Sequence, residues 1–183
     1  MSDNWHEIAW LAVKHKIDRN SRRNRQLRKI CAFLDMDGVV NVFYPEGTPE
    51  YAYRLEHRDD EMCMADKPGV KRLSDLFLEY GIDVVISSSW RYDGIAFCRS
   101  YLEKAGMDPT VHVVGATPCK QEGTREMHIA EYLLDHPDYA QYLIFDDMAM
   151  PHLRKHLLQC DCTQGYTEEL DHRARTLLKG YQK

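Results

Sequence analysis

The fold of this chain is decided by the stretch Ile30-Cys-Ala-Phe-Leu-Asp-Met-Asp-Gly38, in which five apolar residues run directly into a pair of acidic ones. A short, continuous apolar run is typical of a strand that is buried on both faces of a parallel sheet. The abrupt change to Asp35 and Asp37 indicates that carboxylates lie at the point where this strand ends.

The same pattern recurs along the rest of the chain, where short apolar runs alternate with stretches of helical periodicity. Helices are expected over 68–80, 95–105 and 124–135 and from a Thr167 cap onward, and 153–160 is ambiguous between a short helix and an edge strand. This alternation predicts an α/β fold, a three-layer, doubly wound parallel sheet. The expected strands are 30–34, 83–86, 111–114 and 142–145.

The N-terminal part differs in charge from the rest. Residues 1–30 contain eight basic and three acidic residues, although the whole chain has a net charge of −5. A helix is expected over 5–17, followed by the basic arm 19–29, which is either a solvated linker or a surface that contacts nucleic acid phosphates. We therefore expect an N-terminal extension, 1–29, before the main domain, 30–183.

Composition excludes several classes of protein. With 44% hydrophobic and 29% charged residues the chain has the balance of a globular protein with a core. It has no apolar run of about 20 residues, so no membrane span is expected. It has no secretory signal and its six cysteines are scattered, so a cytoplasmic, reduced protein is expected.

Polar residues also follow the other predicted strands, and ligands bind outside the carboxyl ends of the strands in such folds. Ser87 and Ser88 follow the second strand, and Asp146 and Asp147 follow the fourth. Two cations, Lys120 and Arg125, precede or begin the helix before the fourth strand.

This set of groups has the chemistry that phosphoryl transfer needs. Grouped carboxylate oxygens suit Mg²⁺. One carboxylate can act as a nucleophile and form an acyl phosphate, and a second can protonate the leaving oxygen and then activate water. A hydroxyl and a cation can hold the phosphoryl oxygens as their charge redistributes.

Three motifs carry a resemblance to the haloacid dehalogenase (HAD) superfamily, whose members are mostly Mg²⁺-dependent phosphatases. The resemblance extends over residues 31–178, and the Ser-Ser-Trp-Arg form is most similar to small members grouped with nucleic-acid-repair phosphatases. The stretches that resemble the first, second and fourth motifs are Phe33-Leu-Asp-Met-Asp-Gly-Val-Val-Asn41, Asp83-Val-Val-Ile-Ser-Ser-Ser-Trp-Arg91 and Tyr142-Leu-Ile-Phe-Asp-Asp147.

The resemblance implies a role for each carboxylate. Asp35 is the expected nucleophile and Asp37 the expected acid and base. Mg²⁺ would be held by Asp35, the backbone carbonyl of Asp37 and Asp146, with Asp147 close by.

Two assignments within the implied phosphate site stay open. Arg125 is favoured over Lys120 as the cation of the third motif, because of its position on the predicted helix. Ser87 is favoured over Ser88 as the phosphate-binding hydroxyl, because it directly ends the apolar run.

The segment 41–67 stands where the superfamily often inserts a cap domain. Its length allows only a flap, and a hairpin is expected near 41–53. The resulting prediction is an open, Mg²⁺-dependent phosphatase that acts on a phosphorylated substrate such as a nucleotide or a nucleic-acid end. The alternative is a nucleic-acid-binding or regulatory protein that has the HAD fold and little turnover.

Overall fold

The computed structural model describes residues 2–27, 29–120 and 122–182. Its strands form one sheet in the order β3-β2-β1-β4-β5, and every pairing in it is parallel. The predicted α/β fold with a parallel sheet is therefore confirmed, and the ambiguous region contributes the edge strand. The strands are β1 (Ile30–Leu34), β2 (Ile82–Ile86), β3 (Val113–Ala116), β4 (Gln141–Asp146) and β5 (Leu157–Gln159).

Helices cover both faces of the sheet, as three layers require. One core contains buried residues of the third, fourth and sixth helices, and the other contains those of the first and fifth. The helices are α1 (Ser2–Arg23), α2 (Pro49–Glu56), α3 (Lys67–Tyr80), α4 (Ile95–Lys104), α5 (Arg125–Asp135) and α6 (Glu168–Gln182).

Strand β1 shows why the central run must be apolar throughout. Ile30, Ala32 and Leu34 belong to the core beneath α3, α4 and α6. Cys31 and Phe33 belong to the core beneath α1 and α5. Because successive side chains point to opposite faces, a strand that is covered on both faces has no exposed position for a polar residue.

Local sequence signals set the ends of the predicted helices. Thr124 caps α5, since its hydroxyl accepts a hydrogen bond from the amide of Met127 at 3.3 Å. Gly81 ends α3 with a φ of 60°, a left-handed conformation that glycine adopts without strain. The Thr167 hydroxyl accepts from the amide of Leu170 at 3.4 Å in the first turn of α6.

The predicted position of β3 was wrong by two residues. It begins at Val113 rather than Val111 and continues through Gly115 and Ala116. Its pairing with β2 shifts in register between Val84 and Val85. The residues that pair in the two strands therefore cannot be predicted from the apolar pattern alone. Glycine and alanine are also weak strand formers, and their place in the strand was therefore missed.

The hairpin expected near 41–53 was wrong as well. In its place the chain forms α2, which begins at Pro49 after a Thr48 cap. Proline in the first turn after such a cap is a helix-start signal. A single antiparallel bridge between Asn41 and Ala65 closes the base of the segment.

Helix α1 continues past residue 17 into the basic arm. It packs on α5 and buries Trp10 and Ile17. Arg19, Arg22 and Arg23 therefore lie on an exposed helical surface instead of a linker. Where the chain is described, none of its helices is long and apolar enough to cross a membrane.

Candidate active site

The polar residues that follow the strands form one row at the carboxyl edge of the sheet. The amides of Ser87, Asp35 and Thr117 each bond to the last or near-last carbonyl of the neighbouring strand, at 2.9, 3.0 and 2.9 Å. The last residue of β4, Asp146, lies next to Asp35 because the two strands are in register. Parallel pairing therefore places two hydroxyl and two carboxylate side chains side by side.

Three carboxylates gather in this row. Asp35, Asp146 and Asp147 each offer an oxygen, and these oxygens lie within 4.8 Å of one another. Asp35 and Asp146 are buried, at 2% and 0% exposure. Burial and the neighbouring charge of Asp35 raise the pKa of Asp146 to about 6 and also raise the pKa of Asp147.

One of the two candidate cations lies against this cluster. Arg125 is the first residue of α5, and its Nη1 atom donates to Asp35 and, at 2.8 Å, to Asp146. Burial opposes its charge, but the two carboxylates raise the pKa of Arg125. Lys120 instead forms an exposed ion pair with Glu131.

Asp37 lies outside the cluster and has a different environment. Its side chain is half-buried and accepts hydrogen bonds from the indole Nε1 of Trp90 at 2.8 Å and the amide of Asn41 at 3.1 Å. Asn41 is held in turn by the hydroxyl of Tyr101 at 2.6 Å. The two aspartates of the first motif therefore have different neighbours. Asp35 lies among charged side chains, whereas Asp37 accepts hydrogen bonds from neutral donors.

The two candidate serines are also distinguished. The Ser87 hydroxyl is buried and has no hydrogen-bond partner among the described residues. The Ser88 hydroxyl accepts from the amide of Trp90 at 3.4 Å and caps a short 3-10 turn. Buried polar atoms are rarely left unpaired, so the free hydroxyl of Ser87 suggests a missing partner such as a ligand oxygen.

With this geometry established, comparison with known proteins identifies the family. Residues 31–170 match the family described as the HAD domain in Swiss Army Knife RNA repair proteins. The chain belongs to this family. No match was found among the curated proteins or among the solved structures.

A second hydroxyl in the row of this HAD domain was missed by sequence reasoning. Thr117 directly follows β3, is 2% exposed, and its Oγ1 has no partner among the described residues. The signal was present, because a threonine at the end of a strand is the same feature as Ser87. It was missed because the strand was predicted to end at residue 114.

A buried arginine supports the loop after β2. Arg91 donates to the backbone carbonyls of Ser87 at 3.2 Å and Ser88 at 2.7 Å, and its Nη2 lies 3.3 Å from Nδ1 of His128. Arginine has no acceptor, so His128 accepts here with Nδ1. Arg91 therefore holds the backbone of the loop after β2 in place.

The loop after Asp147 is attached to α5 by Glu126. The Glu126 carboxylate accepts from the amides of His152 at 2.7 Å and Leu153 at 2.8 Å, and lies 2.9 Å from Nδ1 of His152. The ring of Trp10 stacks on His152 at 4.4 Å. Because Glu126 follows Arg125, these contacts tie the cation, the acidic loop and α1 together.

A close backbone approach explains the glycine of the first motif. Gly38 has a φ of 81°, and a Cβ at this position would lie 2.8 Å from the side chain of Asp147. Any larger residue would be strained in this conformation and would also displace Asp147.

The acidic cluster has the donor set that a divalent cation needs. Three carboxylates face a single guanidinium, and hard oxygen ligands are those that Mg²⁺ prefers. Burial and the neighbouring charge of Asp35 raise the pKa of Asp146, although Arg125 lowers it, so the charged form of Asp146 would be stabilised by a cation. These residues therefore fit Mg²⁺.

Proposed function

We propose that this HAD domain is a Mg²⁺-dependent phosphatase that hydrolyses a phosphate monoester through an aspartyl-phosphate intermediate. The observation that carries the proposal is the contrast between Asp35 and Asp37. Asp35 lies buried in the row with Ser87 and Arg125, whereas Asp37 lies outside the cluster among neutral donors. Two carboxylates in distinct environments suit two distinct roles.

In the proposed mechanism a carboxylate oxygen of Asp35 attacks the phosphorus atom. Asp37 gives its proton to the oxygen of the departing group, so that an alcohol leaves and the phosphoryl group stays on Asp35. Asp37 then accepts a proton from a water molecule that attacks the acyl phosphate, which releases inorganic phosphate and restores both side chains.

The remaining residues of the row would stabilise charge. Arg125 and the hydroxyls of Ser87 and Thr117 would donate to the phosphoryl oxygens, which are richest in negative charge as the phosphoryl group moves. Asp35, Asp146 and Asp147 would hold Mg²⁺, with the carbonyl of Asp37 as the fourth expected contributor. When bound, the ion supplies positive charge that offsets the negative charge of the cluster and the substrate.

We further propose that the substrate is a phosphorylated nucleic-acid end. The family description supports this choice, since it places such domains in RNA repair proteins. The segment 41–67 also supports it, because its regular structure is one eight-residue helix, which leaves room for an extended substrate.

The test measures phosphate release from an aryl phosphate and from 3′- and 5′-phosphorylated oligonucleotides, with Mg²⁺ and with EDTA. We expect Mg²⁺-dependent release and a loss on the order of 10³-fold or more in Asp35→Asn, because the nucleophile is removed. Asp75→Asn is the matched control, since Asp75 lies in an exposed ion pair with Lys71 on α3. Activity that survives Asp35→Asn would disprove the mechanism.

The alternative is a nucleic-acid-binding protein with little turnover, which the exposed arginines of the basic arm favour. Arg19, Arg22 and Arg23 lie on α1, which leads to the start of β1 at the amino edge of the sheet. This edge is opposite the acidic cluster. Oligonucleotide binding that needs these arginines, without phosphate release from any substrate, would support the alternative over the phosphatase.

A further inference from the structure

A half-exposed aromatic side chain, Trp90, lies next to Asp37, and an exposed one, Phe97, lies next to Trp90. Trp90 lies in the 3-10 turn after β2, and Phe97 lies in the first turn of α4. Their ring centroids are 5.8 Å apart at an interplanar angle of 32°. Phe97 is 49% exposed, although a large apolar side chain is stabilised by burial.

Trp90 is held rigidly beside Asp37. Its Nε1 donates to the Asp37 carboxylate at 2.8 Å, and its ring packs edge-to-face on Tyr101 at 4.7 Å. Tyr101 is itself buried and bonded to Asn41, which bonds to Asp37. The indole therefore has a fixed position, and Phe97 extends the aromatic surface from it toward solvent.

We propose that Trp90 and Phe97 form a leaving-group subsite that stacks on the nucleobase of the nucleotide bearing the scissile phosphate. The inference rests on the proposed function. If Asp37 protonates the leaving oxygen, that oxygen must come within hydrogen-bond reach of Asp37, about 3 Å. Two of the described residues bond to the Asp37 side chain, and because Asn41 is buried whereas Trp90 is half-exposed, the leaving group is placed against Trp90.

A leaving group that carries a nucleobase fits this surface, because the base can stack on it while the sugar oxygen departs. Every base has a flat π face, and two neighbouring aromatic rings offer it a stacking surface without hydrogen-bond readout. The single side-chain donor of Trp90, its Nε1, already donates to Asp37. Trp90 and Phe97 therefore contribute stacking and no base-specific hydrogen bond. The subsite is therefore expected to recognise a base without strong preference for its identity.

Tyr92, two residues after Trp90, is also exposed, but its side chain contacts the loops around it. Its hydroxyl donates to the backbone carbonyl of Lys120 at 3.1 Å, and its ring lies 4.9 Å from the guanidinium of Arg91. It connects the loop after β2 to the segment before α5, and we leave it outside the subsite.

The test compares two substrates that differ only in the terminal base. One is an oligoribonucleotide with a terminal phosphate, and the other carries the same phosphate on an abasic terminal sugar, each prepared with 3′ and with 5′ phosphate. Stacking on one base corresponds to a preference of about 5- to 150-fold in kcat/KM for the base-bearing substrate. Phe97→Leu keeps the apolar character of the side chain and removes its π face, so most of this preference is expected to be lost through KM.

Leu78→Ala is the matched control. Leu78 is 43% exposed, and it lies near the end of α3, which leads into the start of β2 at the opposite edge of the sheet. The preference for the base is expected to be unchanged in this variant. Equal losses on both substrates in Phe97→Leu would overturn the subsite, because they would mean that Phe97 only supports Trp90 and Asp37.

Binding separates failure of the subsite from failure of the proposed function. If the unmodified protein releases no phosphate from either substrate, the phosphatase fails, and the subsite is judged by tryptophan fluorescence in the Asp35→Asn background. Tighter binding of the base-bearing oligonucleotide that Phe97→Leu abolishes would support the subsite. Equal binding of both oligonucleotides would overturn it.

Discussion

The two edges of the sheet carry the same kinds of charged residue in opposite environments. At the carboxyl edge, Arg125 contacts Asp35 and Asp146, whose side chains are 3% and 0% exposed. At the amino edge, Lys29 pairs with Asp138 at 2.7 Å, and the two side chains are 43% and 45% exposed. Both partners of the Lys29 pair are exposed to water, whereas the carboxylates that contact Arg125 are buried and Arg125 itself is 18% exposed.

The difference shows that burial, more than residue type, makes a charged cluster a candidate site. Burial and Asp35 raise the pKa of Asp146 to about 6, whereas a hydrogen bond from Lys29 lowers the pKa of Asp138 below its ordinary value of 3.8. A carboxylate whose charged form is disfavoured by burial is stabilised by a bound cation. The carboxyl edge therefore has a buried carboxylate that a cation would stabilise, whereas the carboxylate of Asp138 at the amino edge is already stabilised by Lys29.

The largest expected effect comes from removing the cation of the buried cluster. Arg125→Ala should reduce phosphate release on the order of 10³-fold, because it removes the guanidinium that would stabilise the phosphoryl oxygens. It should also lower the free energy of unfolding without metal by about 3 kcal/mol, because two buried carboxylates lose their partner. Steady-state kinetics and urea unfolding with and without Mg²⁺ measure the two effects.

Lys120→Ala is the control for Arg125→Ala and decides between the two cations of the third motif. Its exposed pair with Glu131 is worth at most about 1 kcal/mol, so unfolding should barely change. Phosphate release should also be unchanged. A larger loss of activity in Lys120→Ala than in Arg125→Ala would assign the third motif to Lys120.

An intermediate effect is expected at Thr117, one of the two buried hydroxyls of the row that have no partner among the described residues. Thr117→Val keeps the shape of the side chain and removes a buried hydroxyl without a partner, so the free energy of unfolding should rise by about 1 kcal/mol. If Thr117 binds a phosphoryl oxygen, kcat should fall on the order of 10²-fold at the same time. Chemical unfolding and kcat are measured on the same preparation.

The opposite signs of these two effects make Thr117→Val informative. A variant that is more stable and fully active would show that the hydroxyl has no part in phosphate binding. A variant that is less stable would show that the hydroxyl has a structural partner in solution.

The smallest effect is expected at the amino edge. Lys29→Gln should lower the free energy of unfolding by at most about 1 kcal/mol, and about 1 M salt should remove most of the difference. Because Lys29 lowers the pKa of Asp138, the pair stabilises the fold above pH 3.8 and its contribution is lost as the pH falls below that value. Urea midpoints at neutral and acidic pH, with and without salt, measure this difference, and a loss that persists in high salt would contradict the comparison.

Most of the sheet could be predicted because its strands are locally encoded. The run that became β1 is apolar throughout, those that became β2 and β4 are mostly apolar apart from Asp83 and Gln141, and each run leads into the polar residues that form the row. Parallel pairing then requires those ends to meet at one edge, so the approximate location of the site followed from the order of the motifs. The segment 41–67 was harder, because the helix signal Thr48-Pro49 was read as part of a hairpin.

The α/β fold and the order of acidic and hydroxyl residues at the strand ends can be predicted from local sequence, because an apolar strand and the polar residues after it are consecutive in the chain. Which side chains are buried, and which of them are paired, depends on the tertiary structure. It brought Arg125 to Asp35 across 90 positions, left the hydroxyl of Thr117 with no partner in the described part of the chain, and placed Trp90 against Asp37. These contacts depend on packing between elements that are far apart in the chain, so they cannot be predicted from local sequence patterns.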